Sequence, residues 1–437
     1  MPAIAESAEG FGGADAAQQA LRQSALSKTA WRFLPVLTLA YVLNYLDRTS
    51  VGFAALTMNK DIGLTATEFG WGAGVLFAGY SVLEIPSNLA LYRVGARRWV
   101  ARIMITWGLA AAVTALVVGP LSFYLVRFLL GVAEAGFFPG VAFFLSAWFP
   151  AQYRARVLAW FLVAIPVSSL VGGPVSGLLL QMNGVLGLSG WQWMFIVEGL
   201  PASLVGVAVL AMLRDRPSEA HWLTAPERQA LIAMLGEEQR ERERHALLPA
   251  LKDTRVLILA GVQFGFTLGS YGVGIWLPQI LKEHGLSNLT VGFLSAIPYL
   301  FASIGMLVWA GYVDRTGRKI VNLTLACLLA TLGLLLSVCF QALTPALIGL
   351  TIALVGVTSA RAVFWTVPTR FLTGIAAAGG LAFINSVGTL GGFAGPFMVG
   401  WVKDATGSFI AGLLAMAAIL AVTTALAAAL RLVVRQE

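Results

Sequence analysis

Charge is scarce in this chain. Only 11% of its 437 residues are Asp, Glu, Lys or Arg, while 58% are apolar; soluble proteins carry roughly 25% charged residues. The mean hydropathy of +0.81 excludes an ordinary water-facing globule. Cysteine is nearly absent: Cys327 and Cys339 lie in one apolar run and offer neither a disulfide framework nor metal-ligand spacing. Histidine is almost as rare, and His221, His245 and His284 fall in polar connections, which excludes a buried histidine relay. With no Ser–His–acid set, metal cluster or phosphate loop in view, we expect no enzyme, no cofactor and no metal. No cleavable signal peptide is visible, and the small, polar residues 1–30 read as a mobile cytoplasmic tail.

In place of these stand apolar runs of about 20 residues, the length that crosses a bilayer. Twelve are read, near 33–55, 70–91, 99–119, 121–147, 157–180, 191–213, 254–281, 290–312, 320–341, 343–367, 378–402 and 408–431. The fold class that follows is an all-α membrane protein with twelve transmembrane helices. A single long polar stretch, 214–253, divides them into six-helix halves at 31–213 and 254–431, with tails at 1–30 and 432–437. Inside that stretch Thr224-Ala-Pro-Glu227 has the pattern of a helix start, a threonine cap with proline early and Glu three residues on. Its mixed charges read as a solvated tether.

A net charge of +8 invites a nucleic-acid reading, which the distribution rejects. Of the 29 Lys and Arg, 23 fall on one set of span ends; the other set has only Lys60, Lys282 and Lys403, and Arg48, Arg127 and Arg361 lie within spans. The positive-inside rule then puts both termini and the central loop in the cytoplasm.

The halves repeat. Tyr92-Arg93-Val94-Gly95-Ala96-Arg97 matches Asp314-Arg315-Thr316-Gly317-Arg318-Lys319, and Gly173-Pro174 matches Gly395-Pro396 in the same register. Parallel repeats about an axis along the membrane normal are a transporter plan that holds substrate at the midplane between halves.

Seven ionisable residues sit inside the runs: Asp47, Arg48, Glu84, Arg127, Glu134, Glu198 and Arg361. Charge at membrane depth costs a few kcal/mol or more and marks a pathway, a proton relay or a partner. Arg127 and Glu134 are two turns apart, so they share a face about 10 Å apart along the axis. Asp47 and Arg48 diverge by ~100° and both reach an interior only at a helix–helix seam. An arginine keeps its charge and fits a carboxylate bidentately, which suits Arg48 and Arg127 to an anionic substrate. Asp47 and Glu134 are the proton-coupling candidates, balanced between desolvation and nearby arginines. The competing reading is a pair of structural ion pairs that keep spans one and four in register.

Glu84 and Glu198 lie beside Gly/Pro sequences and are read as structural, each satisfying freed backbone groups or an arginine. Arg361 either meets the substrate or snorkels to the cytoplasm. Tyr80, Tyr271, Trp365 and Asn385 are candidates to complete a pocket, although Tyr and Trp pack as readily as they bind.

Several of these motifs resemble the major facilitator superfamily, starting with Asp314-Arg315-x-Gly317-Arg318-Lys319. Tyr45-Leu-Asp47-Arg48, Glu84-Ile-Pro-Ser-Asn88, Gly95-Ala-Arg97-Arg98-Trp99, Arg127–Pro139, Phe364-Trp365 and Ile384–Pro396 resemble its anion:cation symporter family. The nearest branch is the bacterial permeases for phthalate, tartrate and 4-hydroxyphenylacetate. The resemblance implies a bacterial inner-membrane protein that imports an organic anion with protons by alternating access, through a cavity lined by spans one, four, seven and ten. Asp47, Arg48, Arg127 and Glu134 occupy two of those spans. It further implies gating roles for Asp314, Arg315, Arg318, Arg93 and Arg97, with Tyr92 replacing the acid in the first copy. Thr389, a substrate-contact position, departs from the asparagine expected in this branch, and Arg361 also departs from the pattern. The expected partners are a small organic anion, protons and the bilayer, with the chain working as a monomer. A facilitator, a proton-coupled exporter and a sugar-acid symporter use the same fold and stay open as alternatives; Arg48 and Arg127 argue against a cationic cargo.

Overall fold

The apolar runs are helical throughout, since backbone groups in lipid find hydrogen-bond partners only within their own segment. A computed structural model describes residues 13–239, 253–340, 342–368 and 374–434. Parts of the tails at 1–30 and 432–437 and of the loop at 214–253 lie outside the described residues. The helices are α1 Gly13–Asp61, α2 Ala66–Val94, α3 Ala96–Val113, α4 Pro120–Glu134, α5 Phe137–Trp148, α6 Ala151–Leu162, α7 Ala164–Leu179, α8 Gly190–Met212, α9 Ala225–Gln239, α10 Thr254–Lys282, α11 Asn288–Thr316, α12 Lys319–Cys339, α13 Leu343–Phe364, α14 Gly374–Thr406 and α15 Phe409–Val433.

Eleven segments among the described residues are long and apolar enough to cross a membrane, α4 with α5 and α6 with α7 each counting as one. The twelfth span is the second part of α1, whose hydropathy is diluted by Asn44, Asp47, Arg48, Thr49 and Ser50. The result is an all-α membrane fold of twelve spans in two six-helix halves.

Two local expectations change. The tail reading at 1–30 does not hold from Gly13 onward, where α1 has already begun and Ala25 and Leu26 are buried. Alanine- and glutamine-rich sequence favours helix, and this one has a surface to pack on. That surface is α9, which begins as its Thr-x-x-Glu pattern predicts: the Thr224 N–H donates to Glu227 Oε2 at 2.9 Å. Glu227 also accepts from Ser24 Oγ at 2.6 Å and from Lys28 Nζ at 2.7 Å, while Arg32 covers the Trp222 ring at 4.4 Å. With Leu231 fully buried, α9 is docked on α1 and is not a solvated tether.

The halves meet along three seams: α1 on α10, α2 on α14 and α7 on α11. Their closest approaches lie toward the end away from the termini. A Cβ on Gly173 would stand 2.5 Å from the Gly292 carbonyl oxygen, and one on Gly292 would stand 2.5 Å from that of Gly173. Only glycine lets two backbones come this near. At the same end Asp404 of α14 accepts from the backbone N–H groups of Ala66 (3.1 Å) and Thr67 (2.7 Å). A carboxylate on the free N–H groups of a helix start is favourable, so this contact latches one half to the other.

Candidate functional site

Span four breaks where the site needs it. α4 ends at Glu134 and α5 begins at Phe137, because Gly136 takes φ +87, a conformation that strains residues with a Cβ. The Ala135 carbonyl freed by the break accepts from Ser87 Oγ of α2 at 2.6 Å, so the exposed backbone group is repaid locally. This fixes Glu134, fully buried, at the last turn of α4.

Glu134 faces Arg48 of α1. Its Oε2 accepts from Arg48 Nε and Nη2, both at 2.8 Å. The Arg48 guanidinium lies 5.0 Å from the Tyr80 ring and its Nη1 donates to Tyr271 Oη of α10 at 3.4 Å. Arg127 is 1% exposed, its Nε and Nη1 make no hydrogen bond, and the acids acting on it are Asp47 and Glu134. Asp47 is equally buried, with Oδ2 lacking a hydrogen-bond partner. The four charges singled out in spans one and four thus form one cluster. The helix-face argument set Glu134 and Arg127 on one face without naming a bonded partner; the hydrogen-bonded partner of Glu134 is Arg48 of span one.

Beside the cluster, between the halves, lies a small, partly open cavity. Tyr45 of α1, Ser169 of α7, Tyr271 of α10, Tyr299 of α11, and Thr358 and Arg361 of α13 line it. Arg361 does not snorkel: its Nη1 donates to Tyr45 Oη at 3.4 Å. Tyr271 is the one predicted pocket residue that reaches both cluster and cavity.

The other pocket candidates sit apart from the cavity lining. Tyr80 packs under Arg48. Asn385 donates to Glu84 Oε1 at 3.0 Å and accepts from Gln263 Nε2 at 3.2 Å, so Glu84 joins a polar bridge between halves; among the described residues it hydrogen-bonds to no freed backbone group or arginine, though the Arg48 charge acts on it. Thr389 donates to the Asn385 carbonyl of its own helix at 2.8 Å. Trp365 is 37% exposed at the end of α13. Glu198 accepts from Ser176 Oγ at 2.9 Å within the N-terminal half.

Of the gating candidates, Arg93, Asp314, Arg315 and Arg318 are exposed, and among the described residues no ion pair engages Asp314. Arg97 donates through Nε to the Leu210 carbonyl at 2.7 Å, and its backbone N–H donates to Asp215 Oδ1 at 2.8 Å. The reading from sequence missed Tyr45, Gln263 and Asp404. Tyr45 was recoverable, because it lies one turn before Arg48 on the same face.

Residues 37–396 match the family model of the Major Facilitator Superfamily. The chain belongs to this superfamily. A protein of Agrobacterium vitis provisionally named a tartrate transporter is 49% identical over 408 residues, covering 93% of this chain and 91% of its own. The quinolone resistance transporter of Acinetobacter baumannii is 42% identical over 387 residues, 88% of this chain and 89% of its own. Among solved structures, a bacterial homologue of the human lysosomal transporter Spinster superposes with TM-score 0.75 at 17% identity, covering 92% of this chain and 98% of that one. The fold and the family are those of multi-pass membrane transporters, not of enzymes.

Proposed function

We propose that this transporter carries an organic carboxylate into a bacterial cell across the inner membrane, together with protons, by alternating access, and that a single chain suffices. The observation that carries the reading is the Arg48–Glu134 pair at 2.8 Å, buried between the cavity and a second acid–arginine set. A substrate carboxylate reaching Arg48 meets a guanidinium already held by a carboxylate. Protonation of Glu134 withdraws that competitor, so anion and proton each favour the binding of the other, and the linkage is reciprocal. Arg127 offsets Asp47 and Glu134 while the site changes occupant. The termini and α9 face the cytoplasm on the charge distribution. In this reading the Asp404 latch closes the outer end, and the exposed Asp314, Arg315, Arg318, Arg93 and Arg97 region belongs to the inner gate.

The test is uptake of labelled tartrate, phthalate, 4-hydroxyphenylacetate and galactonate into proteoliposomes, with and without an inward proton gradient. Gradient-driven accumulation of one acid supports symport. Equilibration without accumulation overturns proton coupling and leaves a facilitator. A second reading, proton-driven export, is favoured by the 42% identity to a quinolone resistance transporter; uptake driven by an outward-directed gradient in inverted vesicles selects it.

A further inference from the structure

Arg361 is the cation that the coupling cluster leaves uncompensated. It reaches the cavity from α13, in the C-terminal half, and its polar contact is with Tyr45 Oη at 3.4 Å. The nearest groups facing it are the tyrosines Tyr45, Tyr271 and Tyr41, and among the described residues no carboxylate forms an ion pair with it. Arg48 lies near the same tyrosine, 5.9 Å from the Tyr45 ring centroid, and donates to Tyr271. Two guanidiniums contributed by opposite halves thus contact one pair of tyrosines, Arg361 through the Tyr45 hydroxyl and Arg48 through the Tyr271 hydroxyl.

Charge bookkeeping then separates substrates. Asp47, Arg48, Arg127 and Glu134 cancel as a set, and counted over these five residues, with Glu84 engaged by Asn385 and Glu198 by Ser176, Arg361 leaves one positive charge. If Glu134 takes a proton as a monocarboxylate binds Arg48, that excess charge remains at membrane depth, where it is costly. If Glu134 stays ionised, the monocarboxylate contests Arg48 with it. A dianion that binds as Glu134 is protonated brings the site to neutrality and gives each arginine its own carboxylate, the partner that a guanidinium fork fits best.

We propose that Arg361 is the specificity-determining second anchor and that the transported acid is a dicarboxylate held between Arg48 and Arg361. The hydroxyls of Tyr45 and Tyr271, which occupy the two arginines in this structure, bridge to the acid's central groups when it binds. The inference rests on the organic-anion reading above and narrows it to dianions. It also gives the closing of the two halves a direct cause, since one ligand pulls on a residue of each.

The experiment compares wild type, Arg361→Gln and Arg361→Lys in proteoliposomes, using tartrate against its monoamide and phthalate against benzoate, with binding measured in parallel by calorimetry in detergent. Wild type is expected to prefer the diacid of at least one pair by tenfold or more. Arg361→Gln should lose that preference by raising KM for the diacid at least tenfold with little change for the monoacid. Arg361→Lys should restore part of it, an outcome that a misfolded variant does not produce. Equal diacid preference in Arg361→Gln and wild type, or a wild type that prefers the monoacids, overturns the proposal while leaving organic-anion transport intact. Diacid binding that depends on Arg361 without gradient-driven uptake does the reverse, supporting the anchor and sinking proton symport.

Discussion

The N-terminal half buries Asp47, Arg48, Glu84, Arg127, Glu134 and Glu198 within its spans, whereas the described C-terminal spans carry Arg361 as their one deep charge. Yet the halves share the same repeat. Gly95 and Gly317, in register in the sequence, both take positive φ after α2 and α11, and Gly173 and Gly395 both sit where a helix closes on another backbone, Gly173 on Gly292 of the opposite half and Gly395 on Leu268 of its own half. A duplicated scaffold has therefore kept its turn and its close-approach glycines and diverged in charge. The division makes physical sense under the proposed proton coupling: acids that exchange protons need permanently charged arginines within a few ångströms, while the facing half has only to grip the ligand.

The largest effect that separates the halves is expected at Arg127. Arg127→Ala leaves Asp47 and Glu134 buried with one arginine between them, and losing one partner of a buried ionic set costs about 3–5 kcal/mol. Substrate binding should vanish in equilibrium dialysis; wild-type affinity would mean that the N-terminal cluster is only a structural brace. Next comes Glu134→Gln, which mimics the protonated state and removes the competitor for Arg48. Counterflow exchange of labelled acid should persist while gradient-driven accumulation is lost, and accumulation at the wild-type level would move the coupling proton elsewhere.

A smaller effect is expected at the seam that closes the far end. Asp404→Ala removes the acceptor for the first N–H groups of α2, a cap of about 0.5–2 kcal/mol. Labelling of a cysteine placed at Ser169 in the cavity, from the face remote from the termini, should rise several-fold; unchanged labelling would show that the glycine seams alone hold that end. Smallest is the contact of α9 on α1. Hydrogen bonds from Lys28 and Ser24 hold the Glu227 carboxyl down at about 2, below the ordinary value of about 4.3. A depressed acid stabilises above its unfolded value and loses that contribution as pH falls toward the folded one. Glu227→Gln should therefore lower Tm at pH 7 by a degree or two and converge with wild type as pH drops from about 4 toward 2. A gap that widens on acidification would contradict the assignment.

The twelve spans, the polar divide and the four-charge cluster were legible because lipid imposes a length on apolar runs and a cost on buried charge. What stayed hidden was pairing. Periodicity placed Arg127 and Glu134 on one face, but the turn at Ala135–Gly136 and the crossing of α1 decide that Glu134 meets Arg48. Nothing in the sequence distinguishes an arginine that snorkels from one that reaches Tyr45, since Arg361 has the stem length for both. Asn385 and Glu84 carried no mark of each other, lying in different halves. Asp404 was hidden for the same reason: its partners are backbone N–H groups on another helix, and backbone has no sequence signature.

The most direct test of the coupling claim is to count the protons taken up when the anion binds. Calorimetric titration of tartrate or phthalate, whichever the uptake panel selects, in buffers of different ionisation enthalpy gives that number in detergent without a gradient. The account predicts about one proton taken up per anion by wild type and none by Glu134→Gln. Equal proton uptake in both would show that Glu134 does not exchange its hold on Arg48 for a proton, and would contradict the account.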